Sequence, residues 1–129
     1  MLTKVQISFD QADPAGILFF ANVFSLAHKN LETVLTKEHN LWDTWFNHPE
    51  WAVPIVKAET NYLKPMIVGK EYQAKLSVVK MGDSSITFKT DFLDRSNQLC
   101  AETITVHVFV NKSDRKKRAI PEEIKSINF

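Results

Sequence analysis

Residues 9–35 read FDQADPAGILFFANVFSLAHKNLETVL, and this stretch decides what the rest of the chain has to do. Asp13-Pro14-Ala15-Gly16 is a turn, because proline fixes its own φ and glycine accepts a positive one. Ile17 to Phe20 is a short apolar run, either a strand or an approach to a helix. Asn22 suits an N-cap, since its side chain can accept from an N–H one turn further on. Beyond it Phe24, Ala27, Leu31, Val34 and Leu35 follow the spacing of a core-facing helical stripe. No proline or glycine interrupts residues 22–40, which predicts a helix of about five turns. A helix this long with one apolar side needs a partner layer.

The flanking sequence supplies that layer as strands. Residues 2–9 alternate Thr3, Val5, Ile7 and Phe9 against Leu2, Lys4, Gln6 and Ser8, the period of a half-buried strand. After the helix, residues 41–52 hold all three tryptophans, and a connector this aromatic must lie against something. Four strands are then expected in succession: Val53 to Leu63, Tyr72 to Lys80, Ser85 to Leu93 and Leu99 to Val110. A turn at Met81-Gly82-Asp83 and another at Asp94 to Asn97 separate the last three. Leu99 to Val110 is apolar on both faces and reads as a central strand covered on two sides. One strand, one long helix and four antiparallel strands make an α+β domain, with a curved sheet around the helix. No repeat or linker divides residues 1–129, so a single domain is expected.

Bulk properties remove several function classes. The 129 residues are 44% hydrophobic and 24% charged, the balance of a globular chain that buries its own core. No window reaches the roughly 18 uninterrupted apolar residues of a membrane span. MLTKVQISFD lacks the apolar core of a secretory signal, and the lone Cys100 has no disulfide partner, so cytoplasmic residence is expected. The net charge of +1 provides no global field toward nucleic acid. Only three glycines are present, which excludes Gly-rich phosphate loops and, with them, dinucleotide and P-loop chemistry.

The order strand, D-P-A-G turn, F-x-N, long helix and meander resembles the hotdog-fold thioesterases of the 4-hydroxybenzoyl-CoA thioesterase family. The resemblance is sharpest at Phe9 to Ile17 and at Phe20-Ala21-Asn22, and it continues through Pro54-Ile55-Val56 and Tyr62 to Gly69. It implies a hotdog fold, with the acid before Pro-Ala-Gly, Asp13, as the catalytic carboxylate. It also implies a homodimer or homotetramer with a pocket between subunits, acting on an acyl-CoA without a further cofactor. Two departures stand out: Phe20 replaces a tyrosine common in the family, and Gln11 replaces an acid. The helix further resembles that of 1,4-dihydroxy-2-naphthoyl-CoA hydrolases through F-A-N-V, Ser25 and the His28/Glu32 pair, which suggests an aromatic acyl group.

These residues suit thioester hydrolysis chemically. A carboxylate can attack the carbonyl to give an anhydride or deprotonate a water. The oxyanion needs preorganised donors, and N–H groups at a helix start, here Phe20, Ala21 and Asn22, are well placed. Gly16 would let backbone approach substrate without a Cβ in the way. Each residue also has a plainer reading. Asp13 could cap its own turn. His28 and Glu32 could be a side-chain pair or two ligands of a metal that lacks a third, and no metal is expected. Trp45 and Trp51, in the cluster with Trp42 and Phe46, are either pocket wall or core. Arg115, Lys116, Lys117 and Arg118 are either a solvated loop or a grip on the coenzyme A phosphates. His107 reads as a satisfied core or surface histidine. A hotdog hydratase or dehydratase, which would need a pocket histidine, and a non-catalytic acyl-thioester binding module are the alternatives.

Overall fold

The computed structural model describes residues 2–129. Its elements in chain order are β1 (Leu2–Gln6), a 3-10 turn (Phe9–Gln11), α1 (Asn22–Thr33) continuing as a π turn (Val34–Glu38), α2 (Trp42–Phe46), β2 (Trp51–Ala52), β3 (Ile55–Tyr62), β4 (Glu71–Met81), β5 (Ser85–Leu93), β6 (Leu99–Val108), β7 (Val110–Asn111) and α3 (Glu122–Lys125). Five strands form one antiparallel sheet in the order β1-β4-β5-β6-β3, and β2 pairs with β7 beside it.

The helix face that packs on the sheet is wider than the spacing predicts. Val23, Leu26, Ala27, Asn30, Leu31, Val34 and Leu35 are all buried, whereas Phe24 is only partly so. The first turns of α1 rest on Tyr72, Ala74, Phe92 and Cys100. Its end rests on Leu76, Ile86, Phe88 and Phe109, together with Trp45 and Trp51. The expected α+β layering, a long helix against a curved antiparallel sheet, is therefore present.

Several local expectations are corrected. The first strand ends at Gln6 rather than residue 9, because Gln11 N–H donates to Ser8 O (3.0 Å) and Ser8 N–H donates to Gln11 Oε1 (3.0 Å), closing a tight turn. Phe9 is consequently 89% exposed instead of inward. Ile17 to Phe20 is no strand; single bridges tie Leu18 to Ala12 and Ile17 to Ile67. The helix ends at Glu38, and Asn40 takes a positive φ of 54°, a conformation that asparagine tolerates after a helix. The aromatic connector contains the short helix α2. The central strand is β5, and β6 lies between it and β3.

The two edges of the sheet differ. β1 is five residues long and turns Lys4 and Gln6 to solvent, the usual way to blunt an edge. β3 runs eight residues and is exposed at all but Thr60, with Val56 at 61%, Tyr62 at 51% and Ile55 at 43%. Lys57 and Glu59 share this edge, but it is longer than β1 and carries exposed apolar side chains, and such an edge leaves room for another strand.

Candidate active site

Asp13 is held by backbone on every side. Its N–H donates to Ile17 O (2.8 Å) and its carbonyl accepts from Gly16 N–H (3.0 Å), closing the turn that the sequence predicts. The loop after β3 clamps this turn, because Leu18 N–H donates to Met66 O (2.6 Å) and Val68 N–H to Gly16 O (3.0 Å). Gly16 has φ +77°, and a Cβ there would meet nothing within 4 Å. Within the protein itself, its requirement is thus conformational. Gly16→Ala should lower unfolding free energy by about 1–2 kcal/mol, the cost of the left-handed region for an L side chain. Urea unfolding checks this; an unchanged midpoint would mean that the turn adopts another conformation at little cost.

The Asp13 side chain caps its turn and lines a cavity at the same time. Oδ1 accepts from Ala15 N–H at 2.8 Å, while Oδ2 has no protein partner among the described residues. The adjoining cavity, about 460 Å³, is walled by Leu18, Phe19, Phe20 and Val23 on one side and by Tyr62 to Met66 on the other. Carboxylate and helix start therefore face one space.

At the helix start the donors sort themselves. Asn22 N–H donates to Phe19 O (2.9 Å) and Phe19 N–H to Gln11 O (2.9 Å). The N–H groups of Phe20 and Ala21 meet no acceptor among the described residues. Asn22 is not the N-cap: Ala21 holds that position, and Asn22 Nδ2 donates to Gln11 O at 2.9 Å. The side chain fixes the turn before the helix instead of capping the helix itself. Tyr62, on β3, donates its hydroxyl to Phe20 O. Desolvation raises the Tyr62 pKa above its ordinary value, which keeps the phenol a donor. The sequence reading did not single out this tyrosine. Its signal was an aromatic hydroxyl at the end of a strand, just before the Pro65 turn.

The other expected site residues lie elsewhere. His28 borders a separate small cavity and stands edge-on to Phe46 with centroids 6.0 Å apart. Neither a hydrogen bond nor an ion pair joins it to Glu32 among the described residues, so the expected side-chain pair does not form. No group of three or more metal-ligating side chains occurs there either. Trp45 is 3% exposed, with Phe109, Phe88 and His107 around it at 5.3–5.9 Å. Trp51 is 7% exposed, donates Nε1–H to Thr44 O (2.8 Å) and stacks on His48. Both tryptophans belong to the core and not to the Asp13 cavity, because α2 and the β2–β7 pair fold them inward.

The basic run is a folded turn beside β7. Arg115 N–H donates to Asn111 O (2.9 Å) and Asn111 N–H to Lys116 O (2.9 Å). Arg118 lies 4.6 Å over the Trp51 ring and donates to Asn111 Oδ1 at 3.3 Å, a packing role. Arg115, Lys116 and Lys117 are exposed. None of the four borders the Asp13 cavity, whose cation is Lys64.

Asp13 and Phe20, just before α1, thus line one cavity on an α+β scaffold whose sheet packs around a long helix, the layout of a hotdog domain. Residues 7–127 match the family model described as the thioesterase-like superfamily, and the chain belongs to that family. It is 32% identical over 120 residues to the 1,4-dihydroxy-2-naphthoyl-CoA hydrolase of Nostoc punctiforme, which covers 92% of this chain and 79% of that protein. Among solved structures, it resembles the 1,4-dihydroxy-2-naphthoyl-CoA thioesterase from Synechocystis (TM-score 0.86, 22% identity, 97% and 92% of the two chains). A gentisyl-coenzyme A thioesterase is similar as well (TM-score 0.82, 18% identity, 97% and 96%). The fold is the hotdog fold, and the protein is a thioester hydrolase. No helix among the described residues is long and apolar enough to cross a membrane.

Proposed function

We propose that this protein hydrolyses an aromatic acyl-CoA to the free acid and coenzyme A, with Asp13 as nucleophile or general base. The observation that carries this reading is the single cavity onto which both the Asp13 carboxylate and the start of α1 open. In the water route, Asp13 takes a proton as water adds to the thioester carbon. The oxygen that becomes negative is held by the N–H groups of Phe20 and Ala21 and by the positive end of α1. Collapse breaks the C–S bond, and the thiolate leaves with the proton from Asp13. In the anhydride route, the carboxylate attacks the same carbon, expels the thiolate, and water then cleaves the anhydride. Both routes use the same geometry and need no cofactor beyond the coenzyme A of the substrate. The names of the similar proteins, a dihydroxynaphthoyl-CoA hydrolase and a gentisyl-CoA thioesterase, favour an aromatic acyl group.

The working form is a homodimer built on β3, in one domain per chain and in the cytoplasm, without a nucleic-acid or membrane partner. Two copies of this long exposed edge strand pair antiparallel about a two-fold axis and bury Ile55 and Val56. Such pairing also reverses the ends of β3. The Tyr62 end borders the Asp13 cavity, whereas Ile55 pairs with His107 of β6, just before β7 and the basic turn. Arg115, Lys116 and Lys117 of one copy thus approach the cavity of the other, where the coenzyme A phosphates would emerge.

Thiol release from a panel of aromatic and aliphatic acyl-CoAs tests the reaction, and silence across the panel would refute it. The trans contact has its own test. Lys116→Glu with Lys117→Glu should raise KM for acyl-CoA about tenfold, or about 1.4 kcal/mol. The N-acetylcysteamine thioester of the same acid has no phosphates and should not respond. Equal changes for both substrates would remove the phosphate role.

A further inference from the structure

Tyr62 ends β3 and is 51% exposed, yet its hydroxyl is committed to backbone 42 residues earlier, where it donates to Phe20 O. The base of its side chain is pinned. In the β3–β6 ladder Tyr62 stands opposite Ala101. Immediately after it, Leu63 N–H and Lys64 N–H both donate to Cys100 O, at 2.8 and 3.0 Å. The phenol thus reaches from a fixed strand end to the residues just before α1, and Tyr62, Phe20 and Asp13 line the same cavity.

The carbonyl it holds has a consequence one atom further on. Phe20 O shares a peptide plane with Ala21 N–H, and a trans peptide points the two in opposite directions. Fixing the oxygen therefore fixes the N–H. The preceding plane is held as well: Phe19 O accepts from Asn22 N–H at 2.9 Å, and the far end of that plane is Phe20 N–H. These two N–H groups are the ones that meet no acceptor among the described residues. One plane is anchored from within the turn, the other by Tyr62 from across the sheet. A hydroxyl bonded to the carbonyl also polarises the amide, which makes the N–H at its other end a stronger donor.

Other polar groups of the cavity are already engaged. A phenol has one O–H, and Tyr62 gives it to Phe20, so no proton of this hydroxyl is left for a substrate oxygen. Desolvation holds the phenol above its ordinary pKa, and the proton stays in place through the neutral range. Lys64, the cation of the cavity, donates to Gln98 Oε1 and lies 4.0 Å from Asp94 Oδ2. Backbone is left to meet the negative oxygen.

We propose that Tyr62 is a positioning residue: by holding Phe20 O it keeps the N–H groups of Phe20 and Ala21 set for the thioester oxygen as that oxygen becomes negative. This rests on the acyl-CoA hydrolase reading above. Tyr62 touches no reacting atom and acts through the backbone. The neutral carbonyl of bound substrate gains little from well-aimed donors, whereas the oxyanion gains a great deal. Loss of the hydroxyl therefore falls on kcat and spares KM.

Tyr62→Phe removes one oxygen and keeps the ring. It should lower kcat for thiol release about tenfold, less than the roughly 100-fold or more that follows outright loss of an oxyanion donor. KM and the urea midpoint should stay close to wild type. A second readout separates positioning from packing. The probe is a ketone analogue of the acyl-CoA turned over fastest (of benzoyl-CoA if none is), with a methylene in place of sulfur and a carbon-13 carbonyl. It binds without being cleaved. Its carbonyl infrared band should fall in frequency on binding to the wild type, and Tyr62→Phe should give back a large part of that shift. Wild-type kcat in Tyr62→Phe, or the same band in both proteins, would overturn the assignment. A raised KM with kcat unchanged would make Tyr62 a pocket wall and overturn it too. If no acyl-CoA releases thiol, the hydrolase reading falls by itself, and the ketone band then decides. A downshift that weakens in Tyr62→Phe upholds the positioning role, and an unshifted band ends it.

Discussion

Asp13→Asn should lower kcat by at least about 100-fold, the usual worth of a positioned base or nucleophile, while KM and stability stay close to wild type. The second half of this expectation gives the test its force. In the structure Asp13 Oδ1 accepts from Ala15 N–H at 2.8 Å, and an asparagine Oδ1 can accept the same bond. The turn therefore survives, and Asp13→Asn loses only the carboxylate charge and its ability to take a proton or attack a carbonyl. Were Asp13 merely a turn cap, activity would be unchanged and the mechanism would be refuted. Single-turnover measurement of thiol release, with urea unfolding of the same sample, separates these outcomes. An unstable but otherwise active variant would point to the capping role alone. A stable, inactive one places the chemistry on the carboxylate.

The turn that carries Asp13 was legible because everything that defines it is local. The turn, the glycine with positive φ and the onset of α1 fall within ten residues, and a short pattern can encode them. The α+β architecture was legible for a related reason: strand and helix periods survive in a single sequence. What periodicity does not report is which element covers a given face. Trp45 and Trp51 were as compatible with a pocket as with a core until α2 and the β2–β7 pair were seen to enclose them. Asn22 had the composition of an N-cap, yet its amide satisfies the Gln11 carbonyl across eleven residues of sequence, a partner that helix rules do not contain. The basic run looked like one surface, and only folding separates the packed Arg118 from its exposed neighbours. The burial of His107 left a faint trace. Thr103, Thr105 and His107 recur at period two on the face shared with Ala101, an unusual polar stripe in a strand judged apolar on both sides.

The second large effect concerns stability and separates two readings of the aromatic connector. Trp45→Ala should lower unfolding free energy by about 3–5 kcal/mol, the range for emptying a buried large aromatic position. Trp45 is 3% exposed and its ring meets Phe88, Phe109 and His107 at centroid distances of 5.3–5.9 Å. Truncation removes contacts to both β5 and β6, and the cavity left cannot collapse easily, because α1 and the sheet fix its walls. For a chain of 129 residues this loss corresponds to a fall of roughly 10 °C or more in Tm. A pocket wall behaves differently: its loss would raise KM and leave Tm nearly in place. Thermal unfolding and steady-state kinetics on the same variant decide between them. A large KM increase with an unchanged Tm would return Trp45 to the substrate. A large Tm loss, with near-normal KM at temperatures where Trp45→Ala remains folded, would assign α2 to holding the β5–β6 floor on which His107 sits.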